Sequence, residues 1–131
     1  MTTLAVTSSR REEMLDITRA VHDVVMSSGV SEGLAVCFVP HTTAGITINE
    51  NADPDVTRDI LHKLGTEFPR QDGYLHSEGN SDAHVKASLI GSSVTVIIEG
   101  GHLRLGTWQG IYFCEFDGPR RRTAYVQISG G

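Results

Sequence analysis

Apolar and polar positions alternate from Thr2 to Thr7, which predicts a first strand, and Arg11 to Leu15 reads as a second one with polar flanks. The period then changes. Ile17, Ala20, Val21, Val24 and Val25 fall on one face of a helix, with Asp16 offered as its N-cap and Gly29 as a closing residue able to take positive φ. Leu34 to Val39 is a short Val/Phe-containing apolar run that predicts a buried strand ended by Pro40, and Thr43 to Ile48 predicts another. At Asp53-Pro54 a cap residue precedes a proline suited to the first helical position, so a second helix starts there, buries Val56, Ile60, Leu61 and Leu64, and closes at Gly65. Phe68 to Ser81 has no period and reads as a long loop, a feature that compact domains often keep for function. His84 to Ile90, Val94 to Glu99, Ile111 to Asp117 and Ala124 to Ser129 read as strands between Gly-rich turns. Helices set among several strands, without repeats, linkers or low-complexity tracts, predict an α+β domain.

Length and charge narrow the options. A chain of 131 residues is a normal size for one hydrophobic core, and 39% apolar with 21% charged residues is a folding composition. The formal net charge of -5 works against broad nucleic-acid binding, which needs an excess of Lys and Arg, so the run Arg120-Arg121-Arg122 has to be judged locally. No stretch is long and apolar enough for a membrane span or a secretory leader, and Cys37 and Cys114 sit in apolar runs as reduced thiols, which together point to a cytoplasmic protein.

Candidate chemistry concentrates in polar residues at element boundaries. Three of the six histidines qualify: His41 after Val39-Pro40, His76 in the long loop and His84 at the start of a predicted strand. A metal centre needs such imidazoles to converge from separate segments, with oxygens from residues such as Asn49, Glu50, Asn51, Glu78, Asn80 or Asp82 around them. Spacing alone favours plain solvated loop side chains, because no short ligand motif joins the three. His22, His62 and His102 read as solvated or structural. His76-Ser77-Glu78 has the H-x-E of zinc deaminases without any P-C-x-x-C partner, and Gly101 to Thr107 has P-loop-like outer spacing without its lysine, so both readings fail. Covalent catalysis has no support, since G-x-S-x-G is absent and thiols in buried strands are poor nucleophiles. Trp108, between glycines, suits a packed turn, an interface or ligand stacking. After the turn Asp117-Gly118-Pro119, strand alternation would put Arg120 and Arg122 on one side, as phosphate ligands or as part of a salt-bridged edge.

Longer stretches carry a resemblance. His41-Thr42-Thr43-Ala44-Gly45-Ile46-Thr47-Ile48-Asn49-Glu50-Asn51 followed by Asp53-Pro54, then Tyr74-Leu75-His76 and Ala83-His84-Val85-Lys86, resemble the YjbQ family. Leu105-Gly106-Thr107-Trp108-Gln109-Gly110-Ile111 and Glu115-Phe116-Asp117-Gly118-Pro119-Arg120 extend the resemblance across nearly the whole chain. It implies a compact single domain over residues 1–131, with a mainly antiparallel sheet or sandwich and two principal helices, assembled as a homotrimer. It also implies a divalent metal ion, zinc or another transition metal, held by His41, His76 and His84, with Glu50 and Asn51 as orienting or acid/base groups. The activity attached to the family, thiamine-phosphate synthesis, joins a pyrimidine methyl diphosphate to a thiazole phosphate. Magnesium and a guanidinium from Arg120 or Arg122 would suit that departing diphosphate, whereas three imidazoles suit a transition metal better. The alternative expectation is a non-catalytic trimer that binds a metal or a small anion.

Overall fold

The computed structural model describes residues 1–131. In chain order the elements are β1 (Thr2–Thr7), β2 (Glu13–Asp16), α1 (Thr18–Ser28), β3 (Gly33–Phe38), β4 (Ala44–Glu50), α2 (Pro54–Glu67), α3 (Ser81–Ile90), β5 (Ser93–Glu99), β6 (His102–Leu103), β7 (Gln109–Glu115) and β8 (Arg121–Gly130). They form two antiparallel sheets, one of five strands in the order β1-β8-β3-β5-β6 and one of three in the order β2-β7-β4. The α+β sandwich expected from the sequence is the fold observed.

Strand alternation decides which residues meet between the sheets. Val6, Cys37, Val96, Ala124 and Val126 of the large sheet pack against Ala44, Ile46, Ile111 and Phe113 of the small one, with Ile17 and Val21 of the α1 region closing one side. Each such Val, Ile or Phe stabilises the fold by about 1.5–3 kcal/mol when taken fully out of water. The opposite face of β7, continued by Phe116 just beyond the strand, presents Tyr112, Cys114 and Phe116 to Ala83 and Ala87 of α3, with Leu61 and Leu64 of α2 beside them. Three layers result: large sheet, small sheet, helices α2 and α3. The outer face of the large sheet carries no layer.

Local signals explain most boundaries. Asp53 caps α2 by accepting the Asp55 amide at 2.9 Å, and Pro54 takes the first turn. Gly29 ends α1 in the left-handed conformation at φ 69°. Asp16 lies one residue before the cap position, where its Oδ1 accepts the Thr18 amide at 2.9 Å. Two expectations are corrected. α2 runs through Gly65 to Glu67, where the Phe68 amide closes it on the Leu64 carbonyl, and of its expected apolar face only Leu61 and Leu64 pack against the core, neither fully buried. His84–Ile90 is helix, not strand: the residues of α3 that turn inward are Asp82, Ala83, Lys86 and Ala87, a 3.6-residue pattern half of which is charged and therefore invisible to a search for apolar periodicity.

The charges on that inward face are matched. Asp82 accepts both Nη atoms of Arg11, at 3.0 and 3.1 Å, and Lys86 Nζ at 3.0 Å, while Lys86 also reaches Glu12 at 2.7 Å. Asp82 and Lys86 are buried, so this network fixes α3 to the segment before β2. Gly45 on β4 permits the close approach of the far end of the helix, since a Cβ there would lie 2.7 Å from the Gly91 carbonyl oxygen.

Candidate functional site

Four segments meet at one end of the sandwich: residues 39–43 between β3 and β4, the loop that precedes α3, the first turns of α3, and residues 116–120 between β7 and β8. The first is held from below. Arg122 points inward from β8, donates Nε to Glu115 at 2.9 Å and Nη2 to Thr43 Oγ1 at 2.8 Å, and lies 5% exposed against a fully buried Glu115. Ser8 Oγ adds a 2.7 Å bond to the same carboxylate. Burial alone would raise the pKa of Glu115, but Arg122, the Asp117 amide and Ser8 outweigh it and hold the carboxyl below its ordinary value. Arg122 therefore joins the two sheets inside the core. Arg120 does not share its side: it sits exposed in the turn before β8, bonded to the Asp117 carbonyl and to Asp117 Oδ2, each at 3.0 Å.

Above this base two polar cavities of about 350 and 290 Å³ adjoin and share Thr42 and His84. One is lined by His41 and Ser92 among others and contains no carboxylate. The other holds His76, Glu78, Asn80, Asp117 and Arg120. His76 and His84 meet edge to face with ring centroids 5.3 Å apart, and Glu78 lies 3.9 Å from His76. His41 is set apart by its Nε2, which accepts the Thr123 amide at 3.0 Å. Burial, then Arg122, lowers its pKa. The largest cavity, about 540 Å³, lies between α1 and the β1–β8 edge and contains none of these residues.

Glu50 and Asn51 are elsewhere. Glu50 ends β4, about 20 Å along the strand from Ala44 at roughly 3.4 Å per residue, and Asn51 follows it. There Asn51 donates to Asp16 at 3.2 Å, its amide bonds the Trp108 carbonyl at 2.9 Å, and its side chain fills the space that a Cβ on Gly110 would need. Asp82, considered among possible oxygen donors, is the buried partner of Arg11 and Lys86. Cys37 and Cys114 are unpaired, and burial pushes their thiols up to about 11 and about 12, which leaves them protonated at neutral pH.

No group of three or more His, Cys, Asp or Glu side chains converges as a ready metal cage within the chain. A transition metal sits about 2.0–2.1 Å from each imidazole nitrogen, which two rings 5.3 Å apart can satisfy, so His76 and His84 fit such an ion as a pair. His41 does not fit as the third donor while its Nε2 is held by Thr123. Sequence reasoning did not single out Asp117 and Thr42; the first lay inside a turn motif and the second beside His41 without a spacing signal.

Fold and pocket together define a small α+β sandwich with a histidine-lined polar site beside its helical layer. The chain belongs to the YjbQ family: residues 2–131 match the model described as UPF0047 protein YjbQ-like. It is similar to the UPF0047 protein YugU of Bacillus subtilis (53% identical, covering 98% of each chain) and to a UPF0047 protein of Methanocaldococcus jannaschii (56% identical, covering 94% of this chain and 89% of that one). A YjbQ/UPF0047-family protein of known structure from Clostridium acetobutylicum superposes with a TM-score of 0.97 at 60% identity, covering 98% of this chain and 100% of that one. A second, from Sulfolobus solfataricus, gives 0.95 at 34% identity, with 99% and 96% covered.

Proposed function

We propose that the paired cavities bind a divalent transition metal through His76 and His84 and act on a phosphorylated small molecule. The edge-to-face pairing of these rings, in a cavity that also holds Glu78, Asp117 and Arg120, carries this reading. Imidazole donors favour zinc or a similar ion over magnesium, which prefers oxygen ligands and retained water. A bound ion would supply charge to stabilise the departing diphosphate. The residues of the chain do the rest. Arg120, held at Nε and Nη2 by Asp117, has Nη1 free to meet a phosphate oxygen, and Glu78 and Asp117 orient the rings and the guanidinium. Arg122 acts as a strut under Thr43. Glu50 and Asn51 lie too far along β4 to reach the same ligand within one chain.

The reaction to test is the coupling of a pyrimidine methyl diphosphate to a thiazole phosphate. Purified protein loaded with zinc or cobalt is expected to release diphosphate, His76→Ala and His84→Ala to lose bound metal, and Arg120→Ala to lose rate. Metal bound without any turnover favours a non-catalytic binding protein. Retention of full metal content in both histidine variants would sink the site itself. A homotrimer in the cytosol is part of the reading. The open face of the large sheet supports self-association, with Leu34 and Phe38 43% exposed and Ile97 60% exposed, Leu34 and Ile97 being cross-strand neighbours. Trp108 is 62% exposed and free to join such an interface, whereas the nearby Ile111 and Phe113 are consumed by the core. None of the helices is long and apolar enough to cross a membrane. Light scattering that shows a monomer at micromolar concentration would remove the trimer.

A further inference from the structure

The hydrogen bond that holds His41 also decides which of its nitrogens carries a proton. The Thr123 amide can only donate, and it donates to Nε2 at 3.0 Å. Nε2 therefore keeps its lone pair, and in the neutral ring the proton sits on Nδ1. Nδ1 has no hydrogen-bond partner within the chain and is not buried, so it is open to solvent, and His41 lines the carboxylate-free cavity. A metal at Nδ1 would need that proton removed, leaving an imidazolate, or the Thr123 bond broken. The surroundings have an anion-binding character instead. This cavity contains no carboxylate and offers the hydroxyls of Thr42 and Ser92, whereas Glu78 and Asp117 line only the adjoining cavity with His76.

We infer that His41 is a fixed Nδ1–H donor to a phosphoryl oxygen of the ligand and not a metal ligand. The two cavities then divide the work: His76, Glu78 and Asp117 face a cation, His41, Thr42 and Ser92 face an anion, and His84 stands between them. The inference deepens the reading of this pocket as a site for a phosphorylated small molecule, and it does not depend on which reaction occurs there. A donor locked in one tautomer discriminates for acceptor oxygens, because it offers a proton and no lone pair on the open side.

Long-range proton–nitrogen NMR on histidine-labelled protein reads the tautomer directly, and His41 is expected to show the Nδ1–H pattern both before and after zinc is added. Calorimetric titration with diphosphate is expected to show about tenfold weaker binding for His41→Ala, the loss of one hydrogen bond to a charged group. His41→Asn, whose side-chain amide places an N–H near the position of Nδ1, is expected to stay within about threefold of the parent. Zinc content is expected to be unchanged in both variants. An Nε2–H pattern, zinc lost from either variant, or diphosphate binding that is absent in the parent or equal in parent and His41→Ala overturns the inference. Failure of the metal reading is a different result: zinc would then be absent from the parent, while the tautomer and the diphosphate titration still decide the role of His41.

Discussion

Replacing Arg122 by Ala tests whether this guanidinium is a structural tie or a surface ligand. Its partner Glu115 is fully buried, and after truncation only Ser8 Oγ at 2.7 Å and the Asp117 amide at 3.0 Å remain for that carboxylate, while Thr43 Oγ1 loses its donor. Removing one member of a buried pair typically costs about 3–5 kcal/mol, because the other charge is left in the core. Against a total stability of about 5–15 kcal/mol this is a large fraction, and it lowers the melting temperature by roughly 10 °C or more. Arg120→Ala provides the contrast: its salt bridge with Asp117 is 48% exposed on the arginine side, so the change in stability stays below about 1 kcal/mol. The pH dependence follows the same pair. Glu115 titrates below its ordinary 4.5 in the fold, so the stabilisation is complete above that value and is lost as pH falls through the lower, folded pKa. Arg122→Ala removes the main opposing charge, so acid unfolding is expected to begin at higher pH. Urea titrations of the parent, both arginine variants and the double variant Glu115→Leu/Arg122→Met provide the measurement. The double variant is expected to recover most of the loss, since no buried charge is left unpaired. An Arg122→Ala protein within about 0.5 kcal/mol of the parent, well under the range for a broken buried pair, or a double variant no better than the single one, would refute the reasoning.

The same logic reaches other positions. Lys86→Ala leaves Asp82 with only Arg11 and is expected to destabilise by about 3 kcal/mol or more in urea, with α3 amides losing hydrogen-exchange protection first. Gly45→Ala forces a Cβ against the Gly91 carbonyl and the Ile90 side chain, an overpacking that costs about 1–3 kcal/mol and is checked by the shift in melting temperature. Asp53→Ala removes the cap of α2 and should cost about 1 kcal/mol by the same assay, with no effect on metal content because α2 contributes nothing to the pocket.

The chain by itself determined the parts whose signal is local. Asp53-Pro54 starts a helix and Gly29 ends one because capping and positive φ are properties of single residues, and the apolar runs around Cys37 and Phe113 become strands because each supplies a buried face. The YjbQ-like motifs were legible for the same reason, as short strings with fixed internal spacing. Tertiary structure alone decided the rest. α3 could be seen as a helix only once Arg11 and Glu12, some seventy positions away in sequence, were in place to neutralise Asp82 and Lys86 on its inward face. Arg120 and Arg122 were equivalent as a run of arginines, yet one ended in solvent and the other in the core, because the turn before β8 sets which side of the sheet each residue faces. Histidines at three element ends carried no information on distance. Long-range packing brought His76 and His84 to 5.3 Å, bound His41 to Thr123 instead, and left Glu50 and Asn51 at the other end of β4, since side chains converge according to how strands and helices are layered and not according to their order along the chain.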